Sequence, residues 1–447
     1  MDVNDPNDIT AEMKHVVQNH YALTHVGEEN FIGAVLIFPE VSTECERIAA
    51  RILETFPAYR NRFAFDDIKQ RLRKIVTNTV RSGRYERADE LMDGFWKRLE
   101  NPDERKACYV PLIGIKLQSR DVEIGRFRLL QMDLEHIAEV VELMNASIDL
   151  TSNSADHKVI FKSQEEVEIR DYLAGTVCLR VEVVADTNKA DQIALRDAVM
   201  LLDLLRFTIP ALYAKGRNIV VGLKGDGQPG IYRRYVLPLG RSDGSFPSYR
   251  IGPFGDLEVN EPVLQKMDEL GVLSIASAKS PLTALQSAIF RSVHWFAESQ
   301  LQRTEDNELV NLVIALESLF ELPHTDKNKT EKVCEATAVL LESDEAPRKT
   351  LFSRLRNACF YRGEVVHQGD HVPDYRDMDW MRETVQAVIG KMIHRMADFL
   401  TPNDALDWVS AQNAGIATKV NWRKPTRSRT AHIGGRNTAH GRTERFD

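Results

Sequence analysis

LFSRLRNACFYRGEVVHQGD, residues 351–370, is the stretch whose periodicity decides how the chain is read. Leu351, Phe352, Leu355, Ala358 and Cys359 recur at three- and four-residue spacing, which puts them on one face of a helix. The pattern runs through Tyr361 and Arg362 to Gly363 and reaches His367 just before the loop-forming Gly369. The apolar face is thereby committed to packing, and Arg362 and His367 are left near an expected helix end. A permanent guanidinium beside an imidazole that titrates near neutrality is a pairing suited to phosphodiester chemistry.

Around this stretch the same periodicity repeats. Helices are expected at 281–302, 305–322, 330–342, 347–362 and 375–400, joined by short loops, and such a series indicates an antiparallel bundle. Pro281 suits a first helical turn, and Glu305, Asp306 and Glu308 suit the positive end of the helix dipole.

Upstream the pattern is mixed. A strand is expected at 31–39 and a helix at 43–56, then one helix carrying Ile68, Leu72, Ile75, Val76 and Val80 and another carrying Leu91, Phe95, Trp96 and Leu99. From Tyr109 the period changes to two, with strands expected at 109–117, 124–130, 158–162 and 176–184. Val177, Leu179, Val181 and Val183 alternate there with Cys178, Arg180 and Glu182, as a half-buried strand requires. A long amphipathic helix at 189–214 follows, with Pro210 a candidate kink, and then strands at 218–223 and 231–237. Between those two strands lies KGDGQPG, residues 224–230, which lacks the lysine and hydroxyl residue of a P-loop and reads as a hairpin loop. The expected fold class is α+β. A mixed α/β region (1–260), a possible sensor or regulatory domain, precedes a C-terminal antiparallel helical bundle (261–402) and a basic tail (403–447), with the Gly-, Ser- and Pro-rich segment 239–262 as the junction.

Composition agrees with a soluble protein holding a sizeable core: 43% hydrophobic and 28% charged residues over 447 positions. No apolar run approaches a membrane span, and the polar, acidic N-terminus is unlike a signal peptide, so a cytoplasmic protein without membrane attachment is expected. Five scattered cysteines with no CxxC pair read as free thiols. The formal charge of −8 hides an asymmetry: eight Lys and Arg against Glu444 and Asp447 make residues 419–447 net +6, leaving −14 elsewhere. Poor in aliphatic residues, this tail cannot offset the entropy of ordering and is expected to be disordered, with Arg423, Lys424, Arg427 and Arg429 as candidate RNA contacts.

The C-terminal segment resembles the HEPN domain, and within it the Apea-like group. The resemblance rests on HWFAESQ (294–300), LVNLVIALESLFEL (309–322), a spacer helix with VCEATAVLL, and FYRGEVVHQG (360–369), and it covers about a quarter of the chain. The family signature of an arginine followed four to six residues later by histidine maps onto Arg362 and His367. Spacing of this kind also occurs at Arg427 and His432, but only Arg362 follows an amphipathic helix within a bundle. Many active members carry Asn, Asp or His after the arginine, where this chain has Gly363.

What the resemblance implies is a metal-independent endoribonuclease without cofactor. It would be a homodimer through the bundle, acting as a toxin or anti-phage defence effector released by a protein or phage-derived trigger. Arg362 would clamp the phosphate and His367 would act as acid or base, with Glu317 and Tyr361 as supporting candidates. The alternative is a non-catalytic module that binds RNA, a nucleotide or a protein. Arg362 could instead pair with Glu317 or Glu364 inside the bundle. A metal site at His367, Asp370 and His371 would need a helix that Gly369 and Pro373 oppose. His294 reads as a packed histidine rather than a ligand.

Overall fold

Polar residues at the helix starts supply the acceptors that the first backbone N–H groups lack. Thr283 and Gln286 form a reciprocal capping box, Asp186 accepts from the Lys189 N–H at 2.8 Å, and Asn260 accepts from the Val263 N–H at 3.3 Å. The computed structural model describes residues 5–24, 39–82, 84, 87–100, 105–151, 155–213, 219–225, 232–235, 248–251, 255–279, 281–302, 304–323, 325–368 and 375–416.

The chain opens with helices α1 (Pro6–Thr24), α2 (Pro39–Thr55), α3 (Pro57–Arg60), α4 (Phe65–Ser82) and α5 (Arg87–Glu100). Strands β1 (Arg105–Ile113), β2 (Ile115–Leu117), β3 (Asp121–Ile124) and β4 (Phe127–Gln131) come next, then α6 (Leu134–Thr151), α7 (Ala155–Leu173), β5 (Val177–Val184) and α8 (Thr187–Leu212). After β6 (Gly222–Leu223), β7 (Tyr232–Tyr235), β8 (Ser248–Ile251) and β9 (Leu257–Val259), the remainder is helical: α9 (Glu261–Glu269), α10 (Val272–Ala276), α11 (Ala284–Gln300), α12 (Glu305–Phe320), α13 (Lys329–Leu341), α14 (Glu345–Gln368), α15 (Tyr375–His394) and α16 (Pro402–Ile416). The protein is thus α+β, with a small antiparallel sheet and a helical C-terminal region. Among the described residues no helix is long and apolar enough to cross a membrane.

Five strands form one sheet in the order β3-β4-β5-β1-β6, every neighbouring pair antiparallel. The alternation at 177–184 sets the register: Arg105 lies opposite Val184 and Leu112 opposite Val177. Leu129 and Leu179 are buried beneath α8, whose stripe of Ala198, Leu201, Leu202 and Leu205 covers that face. The turn between β3 and β4 rests on the end of α10. Gly125 has φ +60°, and a Cβ there would meet the Ala276 and Ser277 backbone at 2.5 to 2.7 Å, so a larger residue would push the hairpin off the helix.

Among the described residues there are, besides a smaller core under α6 and α7, two large cores. One belongs to α1, α2, α4 and α5, with Ile9, Met13, Ile48, Ile52, Leu72 and Met92 sealed inside. The other runs without a break from the sheet through α8 and α9 into α11 to α15; Leu179, Phe207, Phe296, Leu316 and Val388 all belong to it. Phe207 of α8 and Phe296 of α11, both fully buried, meet edge to face at 5.2 Å. The first core is attached at the start of α8, where the Asp186 N–H donates to the Arg62 carbonyl at 2.8 Å and the Asp186 carboxyl accepts from the Ala64 N–H at 3.2 Å. Burial and the neighbouring Asp67 push that carboxyl up to about 6.

Several expectations are revised. The sheet shares its core with the bundle, so the packing break lies near residue 100 and not at 260. Residues 158–162 are part of α7 and not a strand, because a three-residue apolar run is too short to separate the two periods and the flanking residues favour helix. β6 joins the five-stranded sheet while β7 pairs with β8, so the two strands expected to form a hairpin are not partners; 226–230 lie outside the described residues. The tail expected from 403 begins with a helix, α16, which packs Ala405 and Val409 against the bundle. Of the strand expected at 31–39, Pro39 instead opens α2 and the rest lies outside the described residues, as do the tail residues Arg423, Lys424, Arg427 and Arg429.

Candidate functional site

Helix α14 does not stop at Arg362. It continues six residues further, to Gln368, and Gly363 lies inside it. Phe352 and Leu355 are buried, while Leu351, Ala358, Cys359 and Tyr361 pack partly against the bundle. Five helical steps set Arg362 and His367 about 140° apart around the axis and about 7.5 Å along it. One helix of one chain therefore does not present both on the same face, contrary to the adjacency expected from a helix end.

Arg362 is half-buried. Its Nε is closed off from solvent and has no hydrogen-bond partner, and among the described residues the guanidinium forms no ion pair. Glu317 instead receives Lys329 of α13, Nζ to Oε2 at 3.0 Å, so it does not neutralise Arg362. Tyr361 is half-buried against the core, with the exposed Phe360 ring 6.2 Å from its own. The His367 side chain, and the alternative metal set with Asp370 and His371, lie outside the described residues. On the outer side of α14, Phe360 and Val366 are exposed, and a Cβ on Gly363 would meet open space. At three-residue spacing these make an apolar ridge with a small residue at its centre.

Among the described residues a further cluster of titratable groups lies where α8 meets α11. His294 Nδ1 is 2.9 Å from an Asp203 oxygen, and the other Asp203 oxygen accepts from Arg206 at 3.4 Å. Arg206 is anchored by two further donations to the Val221 carbonyl, at 3.2 and 2.9 Å. Glu298 follows one turn after His294, and ligand atoms of Asp203, His294 and Glu298 lie within 4.8 Å of one another. That donor set would suit a divalent cation, but Arg206 already supplies positive charge to Asp203, and the four side chains form a balanced ion network when His294 is protonated. Asp203 and Arg206 are almost sealed, whereas the His294 side chain keeps 43% of its exposure. Histidine packing alone does not describe it.

The signal for Asp203 was present in the sequence, as an acid inside the apolar run LLDLL, 201–205. Its partner lies 91 residues away, which no local pattern reveals.

No family model, curated protein or solved structure matches the chain. The geometry therefore has to carry the functional reading.

The α8–α11 network predicts a pH dependence. The hydrogen bond to Asp203 raises the His294 imidazole above its ordinary value, and burial raises the Asp203 carboxyl. A raised folded-state value means that the stability His294 supplies is complete below the unfolded value of about 6.5 and is lost as pH rises through the folded value. His294→Gln is expected to cost roughly 0.5–1 kcal/mol near pH 6, discounted for solvent screening of the half-exposed ring, and progressively less toward pH 9. Urea unfolding of both proteins across that range checks this; parallel curves would contradict the assignment.

Proposed function

We propose that the helical bundle is a HEPN-type module acting on RNA, and that the chain is a metal-independent endoribonuclease assembled as a homodimer. The observation that carries this reading is Arg362: a half-buried guanidinium on α14 with no ion-pair partner among the described residues, while Glu317, the partner considered from the sequence, is engaged by Lys329. An uncompensated arginine held by a packed helix is ready to take a phosphodiester oxygen pair.

In the reaction proposed, a base accepts the 2′-OH proton, the 2′-oxygen attacks phosphorus, and an acid protonates the departing 5′-oxygen. The products are a cyclic phosphate and a 5′-hydroxyl end. Arg362 would donate to the oxygens that gain charge, and His367 would move the proton. Their separation around α14 favours a site completed by a second copy, with the Phe360, Gly363 and Val366 ridge as the contact. A toxin or anti-phage role, released by a protein or phage-derived trigger acting on the N-terminal helices, belongs to the same proposal. So does a cytoplasmic location.

A second reading, binding without cleavage, is favoured by that same separation and by Gly363 following Arg362. Incubating the full chain with RNA, beside Arg362→Ala and His367→Ala, distinguishes the two. Cleavage lost in both variants supports the nuclease, and binding without cleavage by the wild type supports the alternative.

The tail gives an independent prediction. Removing residues 419–447 is expected to weaken RNA binding and to flatten its salt dependence by about 0.7 in log–log slope for each phosphate that the tail no longer neutralises. Fluorescence anisotropy between low and moderate salt measures the slope; an unchanged slope removes Arg423, Lys424, Arg427 and Arg429 from the RNA interface.

A further inference from the structure

We propose that Cys334 of α13 and Cys359 of α14 are a peroxide-oxidisable pair that closes to an intrachain disulfide. Their sulfurs stand 3.8 Å apart on neighbouring helices, 25 positions apart in sequence. A disulfide requires about 2.05 Å, so the sulfurs have to approach by under 2 Å, within reach of side-chain rotation and a small helix shift.

The other thiols lack such a neighbour. Cys45 is sealed in the N-terminal core, and Cys178 has Thr176 Oγ1 at 3.8 Å. Cys108 and Cys178 lie on paired strands but out of register, Cys108 opposite Val181 and Cys178 opposite Pro111.

The two members of the pair differ in a way that orders the chemistry. Cys334 is buried, and its hydrogen bond to Cys359, followed by burial, holds its thiol well above the ordinary range. Cys359 is partly exposed, so peroxide reaches it first. The Cys359 thiolate attacks one peroxide oxygen; an S–O bond forms, the O–O bond breaks and hydroxide leaves. The Cys334 sulfur then attacks the Cys359 sulfur, the S–O bond breaks, and the oxygen departs as water with the Cys334 proton. Across both steps and the proton taken up by hydroxide, two thiols and one peroxide become one disulfide and two waters.

The bond would fasten α13 to the turn of α14 that carries Arg362, three residues beyond Cys359. Its formation does not depend on the nuclease reading.

The experiment uses the full-length protein treated with hydrogen peroxide, blocked with N-ethylmaleimide and digested with trypsin without reductant. A linked species joining 333–348 to 357–362 is expected, 2 Da below the summed reduced peptides and released by dithiothreitol, while three of the five cysteines stay alkylated. Cys334→Ser and Cys359→Ser should each abolish it. Because either variant could lose its fold, the wild-type peptide map decides the matter alone. Recovery of both peptides fully alkylated, over-oxidation of Cys359 without a linked product, or linkage to a different cysteine overturns the proposal.

Discussion

Alanine at position 362 is expected to lower RNA cleavage by about 10²–10³-fold, the range found when one preorganised donor is taken from a developing negative charge. The loss should fall on kcat/KM with little change in thermal stability. Arg362 contributes no ion pair among the described residues, and its Nε is buried without a partner, so truncation removes little that holds the bundle. Lysine should rescue poorly, since an ammonium restores the charge but not the two-pronged geometry. His367→Ala is expected to cost a comparable 10²–10⁴-fold and to remove one limb of the pH–rate profile. Mixing the two inactive variants tests the dimer arrangement. If each copy lends one group to a shared cleft, a heterodimer regains part of the activity; absence of recovery in a mixed dimer would count against a site completed in trans. Undiminished cleavage by Arg362→Ala would end the nuclease assignment.

The second large effect concerns the joint between sheet and bundle. Phe296→Ala is expected to destabilise by about 3–5 kcal/mol, because the ring is fully enclosed and meets Phe207 edge to face at 5.2 Å. Since that core is continuous from Leu179 to Val388, sheet and bundle should melt together. The N-terminal helices, with their own core around Ile48 and Met92, should keep their transition. Calorimetry of the full chain resolves the two. A loss below about 1 kcal/mol, or separate melting of sheet and bundle, would contradict the shared core.

The helices of the C-terminal half were legible because each presents a long stripe at helical period and meets several neighbours. Leu309, Leu312, Val313, Leu316 and Phe320 are all buried as the spacing requires. The strand at 177–184 was equally plain, since Val177 and Leu179 are buried and Arg180 and Glu182 are not; that Cys178 on the second face is also buried, in a smaller core with Ile137 and Leu173, the alternation did not show. Legibility failed where burial is slight. Among its described residues helix α7 leaves Val159 and Val167 exposed and packs Ile169 and Leu173 inward, so its periodicity is faint. Domain limits failed for a different reason: a glycine-rich segment signals a loop, not which cores lie on either side of it. At the site, residue types on α14 could be read but not the length of the helix. Gly363 and Gly369 suggested an early end, whereas the helix runs on through Gly363 to Gln368.

Helix α8 spans 26 residues, about 39 Å of rigid rod. Its first turn grips the 62–64 segment of the N-terminal helices through Asp186, and its middle grips α11 through Asp203 and His294. A tug on the leading unit is therefore transmitted as translation of a stiff shaft, and it arrives at the first helix of the bundle, at His294, before it reaches α14. Loosening that grip would slacken the shaft's hold on α11 without releasing it, because Phe207 against Phe296 still ties the two helices together.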